Sequence, residues 1–152
     1  MNGDIEMLNY ITSKNSFINS NGKYLFSLVK NEHAVHAFNK NIFNLGFHNI
    51  NIVNSYQQNL LMISIMSNNY KMLEELFRFN INFTNVDSLG QNILHYCINS
   101  NSIICCNMIL NHLLHFRQIE IIQYLIFGLD NNRENPIFTA AKYGRMEIIY
   151  YI

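Results

Sequence analysis

The sequence has little charge, few cysteines and no long uninterrupted hydrophobic run, and each shortage limits what the protein can be. Its ten basic and ten acidic residues are scattered, so they form no basic patch of the kind that binds nucleic acid. The apolar runs are interrupted well before the roughly 20 residues that a membrane-spanning helix requires. The sequence therefore predicts neither a nucleic-acid partner nor a membrane partner.

The sequence also lacks the features of an exported protein. Asp4 and Glu6 stand where a secretory signal peptide would carry positive charge, and no apolar core with a small-residue cleavage site follows. The cysteines are odd in number, and Cys105 and Cys106 are adjacent, which suits neither a disulfide framework nor an oxidising compartment. We therefore expect reduced thiols and a location in the cytoplasm, with the nucleus as a further candidate, and no export by a cleaved signal.

The known sequence motifs of catalysis and phosphate binding are missing. There is no glycine-rich phosphate loop, no G-x-S-x-G and no H-E-x-x-H, and the carboxylates are dispersed. These absences predict a protein that is not an enzyme and that needs no cofactor. One alternative, a thiol- or metal-dependent protein, stays open because suitable residue types occur at Cys97, Cys105, Cys106, His112 and His115.

The positive signal in the sequence is a repeat. Asn54 and Asp87 are 33 residues apart, and so are Leu61 and Leu94. A period of about 33 residues is the size of a unit made of a turn and two helices. Stacked units of this kind form a binding surface and rarely an active site.

The stretch DSLGQNILH, residues 87–95, resembles the D-x-x-G-x-T-P-L-H signature of the ankyrin-repeat family. Asp87, Gly90, Leu94 and His95 occupy the matching positions. The resemblance implies an all-α fold, a solenoid of helix-turn-helix units with short β-hairpin fingers. It also implies that His95 hydrogen-bonds the backbone and ties one turn to its neighbour.

A second stretch, beginning at residue 130, resembles the same signature more closely. Pro136 suits the first turn of a helix, because its missing N–H would have no partner there, and Gly144 suits the exit. Ala140 and Ala141 match the small pair of the family pattern. Pro136 to Gly144 is therefore predicted to be a short helix with both ends marked.

We expect one domain over residues 1–152 with five units. The spacing from Asp87 to Asp130 is 43 residues, ten more than one period. We expect the excess to appear as a lengthened first or second helix, or as an extra turn, near residues 103–117. The units are a half-repeat cap at 1–20, a degenerate unit at 21–53, a unit at 54–86, a unit with the insertion at 87–129 and an incomplete unit at 130–152.

The resemblance implies a non-enzymatic protein–protein interaction module, which would bind through the finger tips and the concave face of the inner helices. The candidate contact residues lie on three fingers. They are Tyr56 and Gln57 on the first, Thr84, Asn85, Val86, Asp87 and Ser88 on the second, and Asp130, Asn131, Asn132, Arg133 and Glu134 on the third.

The irregular units also resemble the ankyrin core of the IκB inhibitors, including the short IκB-like proteins of some insect-associated DNA viruses. No D-S-G-x-x-S phosphorylation signal is present. This narrower resemblance implies a host–virus interaction in which the protein inhibits NF-κB by masking a Rel-homology transcription factor and resists signal-dependent degradation. A fragment of a larger ankyrin scaffold or adaptor remains an alternative.

Overall fold

The computed structural model describes residues 23–44 and 50–152, and within these ranges the chain forms nine α-helices. The predicted all-α class is therefore confirmed, whereas the predicted cap at residues 1–20 lies outside the described ranges. None of the described helices is both long enough and apolar enough to cross a bilayer. The helices are α1 (residues 23–29), α2 (Val35–Asn44), α3 (Leu60–Met66), α4 (Tyr70–Leu76), α5 (Ile93–Asn99), α6 (Ile103–His115), α7 (Ile119–Phe127), α8 (Pro136–Lys142) and α9 (Met146–Ile149).

Each of the three units after residue 50 opens on the same five-residue turn. We call residues 54–58, 87–91 and 130–134 the first, second and third turn. In each, the side-chain oxygen of the first residue accepts hydrogen bonds of 2.8 to 3.0 Å from the N–H groups two and four residues on. Asn and Asp are short enough to close such a turn on their own backbone. The first residues are Asn54, Asp87 and Asp130.

The first helix of each unit begins at an asparagine cap. The side-chain oxygen of Asn59 accepts from the N–H of Met62 at 3.1 Å, and Asn135 does the same for Phe138 at 2.8 Å. Asn92 caps α5 in the same way. An Asn cap satisfies an N–H that has no partner inside the helix. Asn59, Asn92 and Asn135 thus mark the start of the first helix in each of the three units.

The helices stack in two layers around one apolar core. The inner layer contains α3, α5 and α8 in that order, and the outer layer contains α2, α4, α6 and α9. Apolar side chains on both layers are fully buried, among them Leu61 of α3, Leu94 of α5 and Leu73 of α4. Because each helix pair buries its apolar side against the next pair, stability comes from stacking between units.

The turns that project from the stack are not β-hairpins. One backbone hydrogen bond of 2.9 Å joins Ser88 to Tyr56, and another of 2.9 Å joins Asn131 to Leu89. A hairpin requires facing residues that exchange pairs of such bonds along two strands. The predicted β-hairpin fingers are therefore not seen within residues 23–44 and 50–152, where no strand is present.

The ten-residue excess has two structural consequences. Helix α6 has 13 residues, whereas α4, at the same place in the preceding unit, has seven. An additional helix, α7, follows after a tight corner at Arg117, whose φ is 55°. The excess is therefore a lengthened second helix together with a further helix.

Two equivalent hydrogen bonds show where α7 lies. The side-chain amide of Asn59 donates to the carbonyl of Asn82 at 3.0 Å. In the next unit, Asn92 donates to the carbonyl of Leu125 at 2.9 Å. The carbonyl of Leu125 thus accepts the bond that the carbonyl of Asn82 accepts in the preceding unit. Leu125 follows its capping asparagine by 33 residues, whereas Asn82 does so by 23. Helix α7 therefore occupies the place of the irregular segment that leads to the second turn.

Candidate protein-binding groove

A groove of about 350 Å³ lies between the first and second turns and the C-terminal ends of α3 and α5. Tyr56 and Leu89 project from the two turns, and Met66 and Asn99 line it from the helix ends. Tyr56 is 65% exposed and Leu89 is 59% exposed, and both side chains lie beside the same concave surface. The groove is therefore edged by apolar side chains that remain mostly exposed to solvent.

A hydrogen-bond network fixes the floor of this groove. The Tyr96 hydroxyl donates to Oδ2 of Asp87 at 2.7 Å and accepts from the side-chain amide of Gln58, also at 2.7 Å. Burial, reinforced by the bond to Asp87, raises the pKa of Tyr96 well above its usual value. Since Gln58 belongs to the first turn and Asp87 to the second, Tyr96 connects the two turns through α5.

The carboxylate of Asp87 holds the second turn and Tyr96 in place at the groove. Its Oδ1 accepts the two backbone N–H groups of its own turn, and its Oδ2 accepts the Tyr96 hydroxyl. The residue is 8% exposed. Both carboxylate oxygens are thus engaged inside the fold, and the side chain shapes the groove without projecting into it.

His95 links the second unit to the third turn. Its Nδ1 lies 3.2 Å from the backbone N–H of Asn92, and its Nε2 lies 3.0 Å from the carbonyl oxygen of Glu134. A neutral ring that accepts at Nδ1 and donates at Nε2 satisfies both contacts, although Nδ1 also lies 3.1 Å from Oδ1 of Asn92 and has no hydrogen to donate there. Burial lowers the pKa of His95, opposed by the bond to Glu134 and the nearby carboxylates. The neutral form is therefore the one that the fold stabilises.

The predicted contact residues differ in exposure and in the hydrogen bonds that they make within the fold. Two of them, Asn85 and Asn131, also bridge neighbouring turns, because their side-chain amides donate to the carbonyls of Gln57 at 2.9 Å and Ser88 at 3.2 Å. That these residues bind a partner stays a prediction. Tyr56, Gln57, Val86, Ser88, Asn131, Asn132 and Arg133 are exposed, Thr84, Asn85 and Glu134 are half-buried, and Asp87 and Asp130 are buried.

Seven of the ten groove residues were not identified from the sequence, and four of them show why. Met66 and Asn99 are 33 residues apart and occupy the same place on α3 and α5, so the repeat period could have found them. Leu89 lies inside the motif at residues 87–95, but the motif itself does not specify it. Tyr96 gave no signal, since its role depends on a contact with two different turns.

The groove carries almost no charge. No Asp, Glu, Lys or Arg occurs between residues 41 and 70, and Asp87 is the only one between residues 79 and 116. Asn, Ser, Gln and Tyr supply the polar groups instead. Within the third unit, Lys142 pairs with Glu134 at 2.7 Å. Because Asp87 is buried, the exposed side chains of the first two turns are all uncharged.

The three thiols lie inside the helix stack. Cys97, Cys105 and Cys106 are free and fully buried. Burial raises the pKa of Cys97 and Cys105. His112 stacks on Phe77 with ring centres 4.4 Å apart. Across residues 23–44 and 50–152, no three His, Cys, Asp or Glu side chains cluster closely enough to hold a metal ion.

Pairs of antiparallel helices, joined by turns of repeating geometry and stacked side by side, define a repeat solenoid. The family described as ankyrin repeats (3 copies) matches residues 1–116, and the chain therefore belongs to the ankyrin-repeat family. The match ends just after α6, before α7 and the third turn. A search of curated proteins found no match. Ankyrin repeats are a non-catalytic fold that mediates binding to other proteins.

Proposed function

We propose that this protein is a non-enzymatic interaction module that binds another protein through the groove between its first and second turns. The observation that carries the proposal is the pair of exposed apolar side chains, Tyr56 and Leu89, that flank the groove. Exposed apolar side chains that lie together mark interaction surfaces, and tyrosine is among the residues that carry most of the binding energy at protein interfaces.

The turns that carry these anchors are held rigidly. Each turn is closed by a side chain that accepts two of its own N–H groups. The backbone bond from Ser88 to Tyr56, at 2.9 Å, fixes the spacing of the two turns. Because little conformational freedom is lost on binding, more of the contact energy appears as affinity.

The neutral groove favours a partner surface that is also uncharged. Tyr, Ser and Asn side chains combine large contact area with adaptable hydrogen bonding, as they do in antibody paratopes. Without long-range electrostatic attraction between the two proteins, the association rate constant should be about 10⁵–10⁶ M⁻¹s⁻¹. Binding is therefore expected to depend weakly on salt.

Affinity capture with matched variants tests the proposal. The unmodified protein is compared with the double variant Tyr56→Ala/Leu89→Ala and with the control Phe127→Ala. Phe127 lies on α7, is 65% exposed and does not line the groove. The expected result is a partner that the double variant loses and Phe127→Ala retains. The proposal is wrong if the double variant captures the same proteins as the unmodified chain, or if none is captured by any folded form.

A narrower proposal is an IκB-like role, in which the partner is a Rel-homology transcription factor that the protein masks in the cytoplasm or the nucleus. It is supported by the family membership and by the irregular second unit with its additional helix. Titration with purified Rel-homology domains tests it directly. If no domain binds at micromolar concentration, the IκB-like role is eliminated while the general proposal stands.

A second candidate, a unit of a larger ankyrin scaffold or adaptor, is favoured by the exposed face of α8. Phe138 holds the position that Met62 holds in α3 and His95 holds in α5, yet it is 57% exposed whereas the other two are fully buried. A further repeat would cover it. Light scattering tests this face: association that Phe138→Ser abolishes supports the candidate, and a monomer at all concentrations counts against it.

A further inference from the structure

A second cavity, of about 490 Å³, lies at the C-terminal ends of the outer helices α4 and α6. Its walls are the segment at residues 77–84, the last turn of α6, the corner to α7, and Asn51. None of its lining residues also lines the groove between the first and second turns. The two concavities are therefore separate sites.

One wall of this cavity is a cluster of aromatic rings. His112 stacks on Phe77 with centres 4.4 Å apart and planes inclined by 27°, and on Phe83 with centres 5.5 Å apart and planes inclined by 23°. Phe116 approaches His112 to 4.9 Å and is itself 60% exposed. The rings thus form an aromatic wall, and Phe116 is its most exposed member.

The rest of the cavity is polar but uncharged. Asn51 holds the opposite wall in place, because its side chain donates to the carbonyl of Asn80 at 3.2 Å and accepts from the N–H of Asn82 at 2.6 Å. Asn80, Asn82 and Gln118 place further amide groups around the cavity, and no Asp, Glu, Lys or Arg lines it. A charged ligand would lose its hydration here without gaining an ionic partner.

The ten-residue excess supplies three of the twelve residues that line this site. Helices α4 and α6 start 33 residues apart, at Tyr70 and Ile103. The end of α4 at Leu76 therefore corresponds to residue 109, and the additional length of α6 begins after it. His112 lies in that additional turn, and Phe116, Gln118 and Ile121 follow it. The ten residues after 109 are 110–119, so the excess contributes His112, Phe116 and Gln118, which a regular 33-residue unit would not have, whereas Ile121 lies beyond it.

We propose that this cavity is a binding site for an uncharged planar aromatic group, separate from the partner groove and completed by residues of the ten-residue excess. The group can belong to an aromatic side chain of a polypeptide or to a free aromatic molecule. A ring in the cavity stacks on the Phe77, His112 and Phe116 wall, and the surrounding amides bond its polar substituents. The volume of about 490 Å³ falls within the range of about 300–1,000 Å³ typical of ligand sites.

The absence of tryptophan from the protein makes a direct test simple. Indole fluorescence can be excited where tyrosine absorbs little, so an indole probe is observed without background from the chain. N-acetyl-tryptophanamide serves as the probe, because it is uncharged and carries both a planar ring and two amide groups. Free indole forms a second arm, which separates recognition of the ring alone from recognition of an aromatic residue within a polypeptide.

Two exposed phenylalanines provide the variant and its control. Phe116 lines the cavity and Phe127, on α7, does not, although they are 60% and 65% exposed. Removing a stacking ring should weaken probe binding by about tenfold in Phe116→Ala and leave Phe127→Ala unchanged. Gln118→Phe, which fills the cavity, should weaken it as well.

The outcomes separate cleanly. Saturable binding that Phe116→Ala weakens and Phe127→Ala preserves supports the site, and stronger binding of N-acetyl-tryptophanamide than of indole assigns the ring to a polypeptide. Absence of saturable binding at millimolar probe overturns the proposal. Equal loss in both variants, or equal competition by the aliphatic N-acetyl-leucinamide, also overturns it. None of these results depends on a partner in the groove.

Discussion

The Nε2 atom of His95 lies 3.0 Å from the carbonyl oxygen of Glu134, which is 39 residues further along the chain. The same ring accepts the N–H of Asn92 at its other nitrogen, at 3.2 Å. One buried side chain therefore completes the cap of α5 and fastens the third turn to the second unit. The stability of the last unit should depend on it.

His95→Ala should lower the free energy of unfolding by about 3 kcal/mol, because it leaves two backbone groups unpaired and opens a cavity in the stack. Urea denaturation measures the change. His36→Ala, on the exposed side of α2, is the control and should change stability by less than about 0.5 kcal/mol. Equal effects of the two substitutions would contradict the structural role of His95.

Stability should fall as the pH drops below about 6.5. Burial lowers the folded-state pKa of His95 below the ordinary 6.5, so between these two pKa values the unfolded chain binds more protons than the folded chain. The neutral form is thus favoured at neutral pH, and the advantage is lost towards acid. His112, whose pKa is lowered by burial and by His115, acts in the same direction. Unfolding measured from pH 5 to 8 should have a smaller slope in His95→Gln.

Asp87→Ala should destabilise the fold by about 2–3 kcal/mol, because three hydrogen bonds lose their acceptor. Asp87→Asn should cost less, since Asn54 closes the first turn with the same geometry. Thermal unfolding compares the two variants. Asp87→Asn should also bring the pKa of Tyr96 down, because the bond to the carboxylate helps to raise it, and ultraviolet titration measures this.

The two glycines with positive φ should respond differently to alanine. Gly144 has a φ of 66° and open space around it, so Gly144→Ala should cost about 1 kcal/mol for the backbone conformation alone. Gly90 has a φ of 75°, and a Cβ there would lie 2.7 Å from Oδ1 and 3.0 Å from the backbone nitrogen of Asn131. Gly90→Ala should therefore cost more, and chemical denaturation of both variants gives the comparison. Equal costs would mean that the third turn moves freely away from the second.

The thiols should react only when the stack opens. Cys97, Cys105 and Cys106 are fully buried, and burial raises the pKa of Cys97 and Cys105. Alkylation followed by mass spectrometry should show slow modification of the native protein and rapid modification in denaturant. Fast native labelling, or metal recovered with the purified protein, would support the thiol- or metal-dependent alternative instead.

The fold class was accessible from the sequence because its signals are local. Asn54, Asp87 and Asp130 mark the turns, and each does so through bonds to its own backbone. The capping asparagines act within three residues of themselves. The β-hairpin expectation was not met in the described residues, since strand pairing depends on how neighbouring turns are oriented and no residue pattern specifies that.

The groove and the ring-lined cavity were harder to predict from the sequence. Tyr96 acts through contacts with Gln58 and Asp87, which are 38 and nine residues away. His112 meets Phe77 and Phe83 only because α6 is longer than α4. The sequence indicated an excess near residues 103–117 but not that a further helix would follow and leave a cavity beside it.

The sequence by itself determined the repeat period, the turn residues and the helix starts, because hydrogen bonds between residues two to four positions apart encode all three. Only the tertiary structure decided which side chains remain exposed and can contact a partner. Asp87 and Asp130 appeared as candidate contacts and are buried, whereas Leu89, which the motif does not specify, is exposed at the edge of the groove. Exposure is set by what the neighbouring unit covers, and that depends on how the units stack.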